Sequence, residues 1–408
     1  MSTDARIRPA ASGGPVDLPD RRAWATTAAL WTAWLLTRVT LYLLATAPRL
    51  MGDVGLYKQW YTCCLSKGDF PLSDPKWQYP PGAALVIWLP GHMPGSYVDD
   101  FALLTIGCDL AVMLMLCRSA RRGGSVAGAW YWVCGVPLLG AISVGRFDMV
   151  TVVLTVAALL VANGGRVGGT VRGALIGVAA AIKVWPVTAL TGVPPGQWRR
   201  SVATAAAVFA AVWAVFPKQM ASFLAHQYTR GIEIESVAAT PFMVWRLTGW
   251  HGRIVFSYGS WQLSGDYAIL AEDAAKVGLA LAAVLVLIWW LGLVTGRIRW
   301  RLEFTTDAPL AATLLFLLAS QVLSPQYMLW VIGLSAACLA TGRTAQRPAA
   351  LAVLGAAGLT QLNFPLGWGS LVSGSALLTG VLVARNVLLV TATVLAVRAV
   401  VRVRDLQP

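Results

Sequence analysis

Arginine recurs along this chain in short clusters, and the stretches between them are apolar for about the length that crosses a bilayer. Clusters such as Arg118, Arg121 and Arg122, Arg199 and Arg200, Arg297, Arg299 and Arg301, and Arg398, Arg402 and Arg404 punctuate the sequence in this way. Only 12% of the residues are charged and 57% are hydrophobic, whereas a soluble domain carries roughly 25% charged residues. The pattern predicts an all-α, polytopic transmembrane bundle with about 10–12 membrane helices.

The net charge of +14 does not point to nucleic acid, because the arginines sit between apolar spans rather than on one continuous face. By the positive-inside rule the clusters face the cytoplasm, with both termini on that side. The lysines fall outside the clusters. Asp53, Asp69, Asp74, Asp99, Asp100, Asp148, Glu233, Glu235 and Asp266 then belong to the opposite surface.

Residues 1–22 are rich in Pro, Gly, Asp and Arg and read as a disordered cytoplasmic tail. One membrane domain is expected over 23–400, with outer loops at about 48–100 and 217–267. The first span, about 23–47, is too long for a cleaved leader and reads as a retained helix. Ala83 to Leu89 is apolar but hemmed in by prolines, which predicts a helix lying at the interface. Gly173 to Val193 begins and ends beside arginines and so needs an even number of crossings. Two half-helices meeting at Lys183 satisfy that requirement. Of the cysteines, only Cys63 and Cys64 share an outer loop, and a vicinal pair rarely bridges, so no disulfide is expected.

The chemistry-bearing residues cluster on the predicted outer side. Asp53, in Gly52-Asp-Val-Gly-Leu-Tyr57, can serve as a general base with Tyr57 orienting it, or can simply cap a loop helix. Lys183 in an apolar segment costs about 2.5 kcal/mol or more at a bilayer centre, so a task such as holding a phosphate is expected; pairing with an acid is the alternative. Arg146 and Asp148 cap an outer turn and can pair with each other. If Asp148 takes another cation, Arg146 becomes free to bind an anion. In Arg230-Gly-Ile-Glu-Ile-Glu-Ser236, the glutamates share a face if the segment is extended, and either hold sugar hydroxyls or are solvated. Arg230 is a phosphate candidate. No histidine or acid spacing calls for a metal, and no cofactor is expected. Trp60, Trp77, Trp245, Trp250, Trp261 and Trp368 fall near the outer interface, where rings of a membrane belt are common.

Taken together, Gly52 to Tyr57, Tyr79-Pro-Pro-Gly82, Arg146-Phe-Asp148, Lys183-Val-Trp-Pro186, Arg230 to Ser236 and Ser324-Pro-Gln-Tyr327 resemble glycosyltransferase family 87. The resemblance runs from about 24 to 395. It implies a GT-C fold and an inverting α-mannosyltransferase of the plasma membrane, working on its extracytoplasmic face. The implied partners are a polyprenyl-phosphate-mannose donor, a glycolipid or glycan acceptor, and the surrounding membrane lipids. It further implies Asp53 as catalytic base and Lys183, Arg230 and Arg146 as donor-phosphate ligands. Tyr57, Tyr79, Asp148, Glu233, Glu235 and Gln326 become substrate contacts, Gln326 standing where some relatives place a histidine. A polyprenyl-phosphate arabinofuranosyltransferase would share these motifs. A lipid-linked-sugar flippase or secondary transporter is the reading from another class, supported by the break at Lys183.

Overall fold

A computed structural model describes residues 21–46, 52–160 and 165–402. Most of the predicted N-terminal tail lies outside the described residues. The helices run α1 (Arg21–Ala45), α2 (Gly52–Cys63), α3 (Ala83–Trp88), α4 (Tyr97–Arg121), α5 (Ala127–Gly135), α6 (Asp148–Leu160), α7 (Gly165–Ile182) and α8 (Trp198–Val215). They continue as α9 (Pro217–Thr229), α10 (Thr240–Trp245), α11 (Ala268–Val294), α12 (Phe304–Ala319), α13 (Met328–Ala340), α14 (Arg347–Gln361), α15 (Trp368–Val372) and α16 (Ala376–Arg402). The all-helical expectation has one exception. Strands β1 (Arg253–Ser257) and β2 (Ser260–Ser264) form an antiparallel hairpin within the segment 217–267, with Arg253 opposite Ser264.

Among the described residues, five helices are long and apolar enough to cross a membrane by length and composition. A sixth span arises if α8 and α9, bent by 106°, count as one. The other predicted spans are shorter apolar helices, including Ala127–Ser143, Asp148–Leu160, Phe304–Ala319 and Pro325–Ala340. Several of these pack on one another: α13 lies against α5, α6 and α12, while α6 also packs on α4 and α7.

The segment predicted to turn back at Lys183 does so. α7 leads to it, a proline-started 3₁₀ stretch from Trp185 to Gly192 leads away, and the seryl hydroxyl of Ser201 in α8 donates to the carbonyl of Gly169 at 2.9 Å. The break is anchored from outside. The Gly82 N–H donates to the Ala181 carbonyl at 2.9 Å, satisfying a helix-end acceptor. A Cβ at Gly82 would lie 2.5 Å from that carbonyl oxygen, so this approach needs glycine. Cys63 and Cys64 are joined by a disulfide, against expectation. The α-helix ends at Cys63, and Cys64 leaves helical geometry (φ −133°).

One ion pair inside the bundle holds α1 to α4. Arg38 donates to both Asp109 oxygens, Nη2 at 2.8 Å and Nε at 3.0 Å, and Trp34 Nε1 donates to the same carboxylate at 2.6 Å. Arg38 and Asp109 are both 2% exposed. Removing one partner of such a pair strands the other charge. Asp109→Ala is expected to cost about 3–5 kcal/mol, read as a lower melting temperature of the detergent-solubilised protein. A shift no larger than that of a surface alanine would show that the pair is not holding the helices.

Candidate active site

The site is built where the segment between α1 and α4, the α6 turn, the Lys183 break and the Arg230 segment meet. α2 presents Val54, Tyr57 and Trp60 to the core, all at most 1% exposed, and this seating places Asp53 in its first turn at the cavity wall. Asp53 Oδ2 pairs with Arg146 Nη2. The Asp53 side chain remains 37% exposed, so it stays reachable. Tyr57 makes no hydrogen bond to Asp53. Its phenol is pushed well above the usual range by burial and then by neighbouring Tyr79, and the Tyr79 phenol is raised by burial as well. The hydrogen bond expected from Tyr57 to Asp53 is not formed, and Arg146 is the group that contacts the carboxylate.

Asp148 opens α6 and is 1% exposed. It accepts from Lys183 Nζ at 2.7 Å and from Trp330 Nε1 at 2.6 Å. The pairing of Arg146 with Asp148 is therefore not observed, and neither cation is left without an acid. Asp148 takes Lys183 and Asp53 takes Arg146. Lys183 is caged by rings, with Tyr327, Trp330, Phe147 and Tyr79 centroids 4.9 to 5.9 Å from Nζ, a setting that stabilises a desolvated ammonium.

Arg230 differs from these two. Among the described residues it has no ion pair, and its Nε is buried without a hydrogen-bond partner. It follows α9 in an extended segment beside β2: Ile234 N donates to the Trp261 carbonyl at 3.0 Å, and Leu263 N to the Ile232 carbonyl at 3.0 Å. The two-residue period sends Ile232 and Ile234 into a small core with Met243, Leu263, Leu371 and Leu382. Glu233 and Glu235 then share the other face. Neither is solvated, at 4% and 1% exposed, which corrects the solvated reading. Glu233 accepts from the Leu323 N–H at 2.8 Å and from Ser324 Oγ at 3.3 Å. Burial raises its carboxyl, opposed by Arg230. Burial also pushes Glu235 up to about 8, against the pull of Arg385 and with the push of Glu233.

Sequence reasoning missed Arg385. It lies within the last apolar helix and is 0% exposed. Nη2 donates to the Glu235 carbonyl at 2.8 Å and lies 3.6 Å from Glu235 Oε1. Asn386 Nδ2 supports the same stretch, donating to Thr240 Oγ1 at 2.6 Å. The signal was present, since an arginine inside an apolar span is the feature that singled out Lys183.

These residues enclose a cavity of about 220 Å³. Asp53, Tyr57, Tyr79, Arg146, Lys183, Arg230, Glu233, Glu235 and Gln326 all line it, and Asp148 stands behind Lys183. Gln326 Oε1 is buried without a partner. Lys76, Gln78 and Phe256 were not anticipated and join the wall, as does Ser324 of the Ser324-Pro-Gln-Tyr327 motif. Of the outer tryptophans, Trp60, Trp261 and Trp368 reach it. The hairpin forms one side, tied down where Gln78 Nε2 donates to the Tyr258 carbonyl at 2.7 Å. A second cavity of about 380 Å³ adjoins it and shares Gln78, Tyr79, Lys183, Arg230 and Tyr327. Its far wall includes Phe223, Leu224, Leu279 and Phe316.

The arrangement can bind an anion at Arg230, offer a carboxylate to a hydroxyl, and stack a ring on tryptophan. Comparison with known proteins bears on which chemistry this is. The model for glycosyltransferase family 87 matches residues 77–320, which include Tyr79, Arg146, Asp148, Lys183, Arg230, Glu233 and Glu235. Asp53 and Gln326 lie outside the match and reach the cavity through the fold. No curated protein matches the chain. Among solved structures, ArnT from Cupriavidus metallidurans in the apo state is 14% identical with a TM-score of 0.48, covering 93% of this chain and 78% of that one. The same protein bound to undecaprenyl phosphate is 15% identical with a TM-score of 0.47, covering 94% and 79%. Since the family match spans more than half of its length, the chain belongs to glycosyltransferase family 87.

Proposed function

We propose that this membrane glycosyltransferase is an inverting α-mannosyltransferase of the GT-C class, taking mannose from a polyprenyl-phosphate carrier and giving it to a cell-envelope glycolipid or glycan. The observation that carries the reading is the junction of two cavities at Lys183 and Arg230, with Asp53 on the wall of the more polar one. A lipid-linked sugar phosphate has the matching shape. Its prenyl chain follows the wall of Leu224, Leu279 and Phe316, its phosphate meets Arg230, and its sugar enters the chamber of Asp53, Gln326 and the tryptophans.

The residues divide the work. Asp53 takes the proton from the acceptor hydroxyl as that oxygen forms its bond to the anomeric carbon. The bond from that carbon to the phosphate oxygen breaks, its electron pair stays with the phosphate, and configuration inverts. Arg230 stabilises the charge that develops on the departing phosphate, and a cation preorganised in a partly desolvated site is worth more there than in water. Lys183, already balanced by Asp148, adds a second positive centre. Arg146 fixes the orientation of Asp53. Glu233, Glu235 and Gln326 offer acceptors and donors to sugar hydroxyls.

Sidedness follows from charge. α6 has 13 residues, so its ends are roughly 18 Å apart at about 1.5 Å per residue. Asp148 is at one end, and Leu160, beside Arg118 and Arg172, at the other. The arginine-rich end belongs in the cytoplasm of a plasma-membrane protein and the Asp53 end outside.

The test is transfer by membranes containing the protein, supplied with labelled polyprenyl-phosphate-mannose or polyprenyl-phosphate-arabinose and a panel of glycolipid acceptors. A mannosylated product with an α linkage is expected. Transfer of arabinose alone would replace the mannose assignment, and movement of the labelled lipid across the membrane with no product would replace transfer itself.

A further inference from the structure

The end of the bundle away from Asp53 holds another cavity that the transfer reaction does not use. Its volume is about 490 Å³, and Arg118, Arg122, Arg172 and Arg343 line it. Three separate segments deliver them: the end of α4, the first half of α7, and the turn after α13. Glu303 is the one carboxylate on the wall. Among the described residues, no acid forms an ion pair with Arg118, Arg122 or Arg343. Arg118, Arg122 and Arg343 are exposed and so reachable from outside the bundle, and an anion placed beside several like charges is attracted by each of them.

The frame is built rather than loose. Ser119 Oγ donates to the Ala340 carbonyl at 3.1 Å, Ser125 N donates to the same oxygen at 2.9 Å, and Gly124 N donates to the Ser119 carbonyl at 3.1 Å. A Cβ at Gly124 would collide with the Ala340 carbonyl, so the α4 turn and the α13 end are locked together. Arg172 is 4% exposed, and its Nε donates to the Ala158 carbonyl at 3.0 Å. In the wall, Thr305 Oγ1 and Gln197 Oε1 are buried without partners. The lining also carries apolar side chains, Met115, Leu160 and Leu302, the last of them 62% exposed.

We propose that this cavity binds the phosphate group of an anionic phospholipid, with the acyl chains lying along Met115, Leu160 and Leu302. Planar guanidinium forks from several directions match the oxygens of a phosphate. A free phosphate ion shares that chemistry but would leave Met115, Leu160 and Leu302 uncovered. The site stands apart from the transfer cavity, so its occupancy is independent of which sugar is moved.

The test uses the full chain in detergent, with thermal unfolding followed as phosphatidylglycerol, phosphatidylcholine or inorganic phosphate is added. Phosphatidylglycerol is expected to raise the melting temperature and phosphatidylcholine to leave it unchanged. In the Arg118→Gln/Arg122→Gln/Arg343→Gln variant, the phosphatidylglycerol needed for half the effect should rise by about a hundredfold, while transfer from the labelled donor continues. An equal shift from millimolar inorganic phosphate would overturn the lipid assignment in favour of the free ion. Equal lipid responses in wild type and variant, or no response in either, would overturn the site. Should the triple variant not fold, Arg343→Gln alone is measured by native mass spectrometry. A loss of about fivefold in retained phosphatidylglycerol supports the site, and unchanged retention overturns it.

Discussion

Asp53→Asn is expected to lower kcat for sugar transfer by about 10²–10⁴, the usual contribution of a positioned general base. The amide keeps the shape and removes the basicity. The substitution also releases Arg146, whose ion-pair partner is Asp53. A released guanidinium beside the donor chamber adds a cation near the donor phosphate, so KM for the lipid donor should hold steady or fall while kcat drops. That split separates loss of a base from loss of structure, which would weaken binding too. Steady-state transfer with varied donor concentration, on protein matched for membrane insertion, measures it. Retention of wild-type kcat would remove Asp53 from the chemistry.

Arg230→Gln is expected to lower kcat/KM by about 10²–10³, as removal of one preorganised charge-stabilising donor does. Lys183 is matched with Asp148 and Arg146 with Asp53, and of the two remaining cavity cations, Lys76 and Arg230, only Arg230 borders both cavities. Its Nε is buried and unsatisfied. Arg230→Lys should recover only part of the loss, because an ammonium keeps the charge without the planar fork. Full activity in Arg230→Gln would move the phosphate contact elsewhere. Removing Arg230 also removes a charge that opposes the burial-raised Glu233 carboxyl, while the Leu323 N–H and Ser324 Oγ still hold that side chain in place.

Each motif that carries the family resemblance contributes at least one residue to the wall of a single cavity, although the motifs are spread from Gly52 to Tyr327. Arg385 and the Arg38–Asp109 pair were legible as charges in apolar helices and were passed over. Their partners were not legible, because those partners lie on other helices. The same holds for Glu233 and Glu235. Alternation announced a shared face, but only the packing of β2, the Ser324 turn and α16 around that face removed water from it.

Sequence alone determined the class of structure, because apolar length and arginine placement are read directly by a bilayer that tolerates helices and rejects buried charge. It also determined where the helix must break, since Lys183 followed by proline cannot continue an apolar helix without penalty. The tertiary structure alone decided which acid holds which cation, and thereby which cation remains for substrate. In a low-dielectric interior that choice depends on separations of a few ångströms between segments remote in the chain, and no spacing along a sequence encodes them.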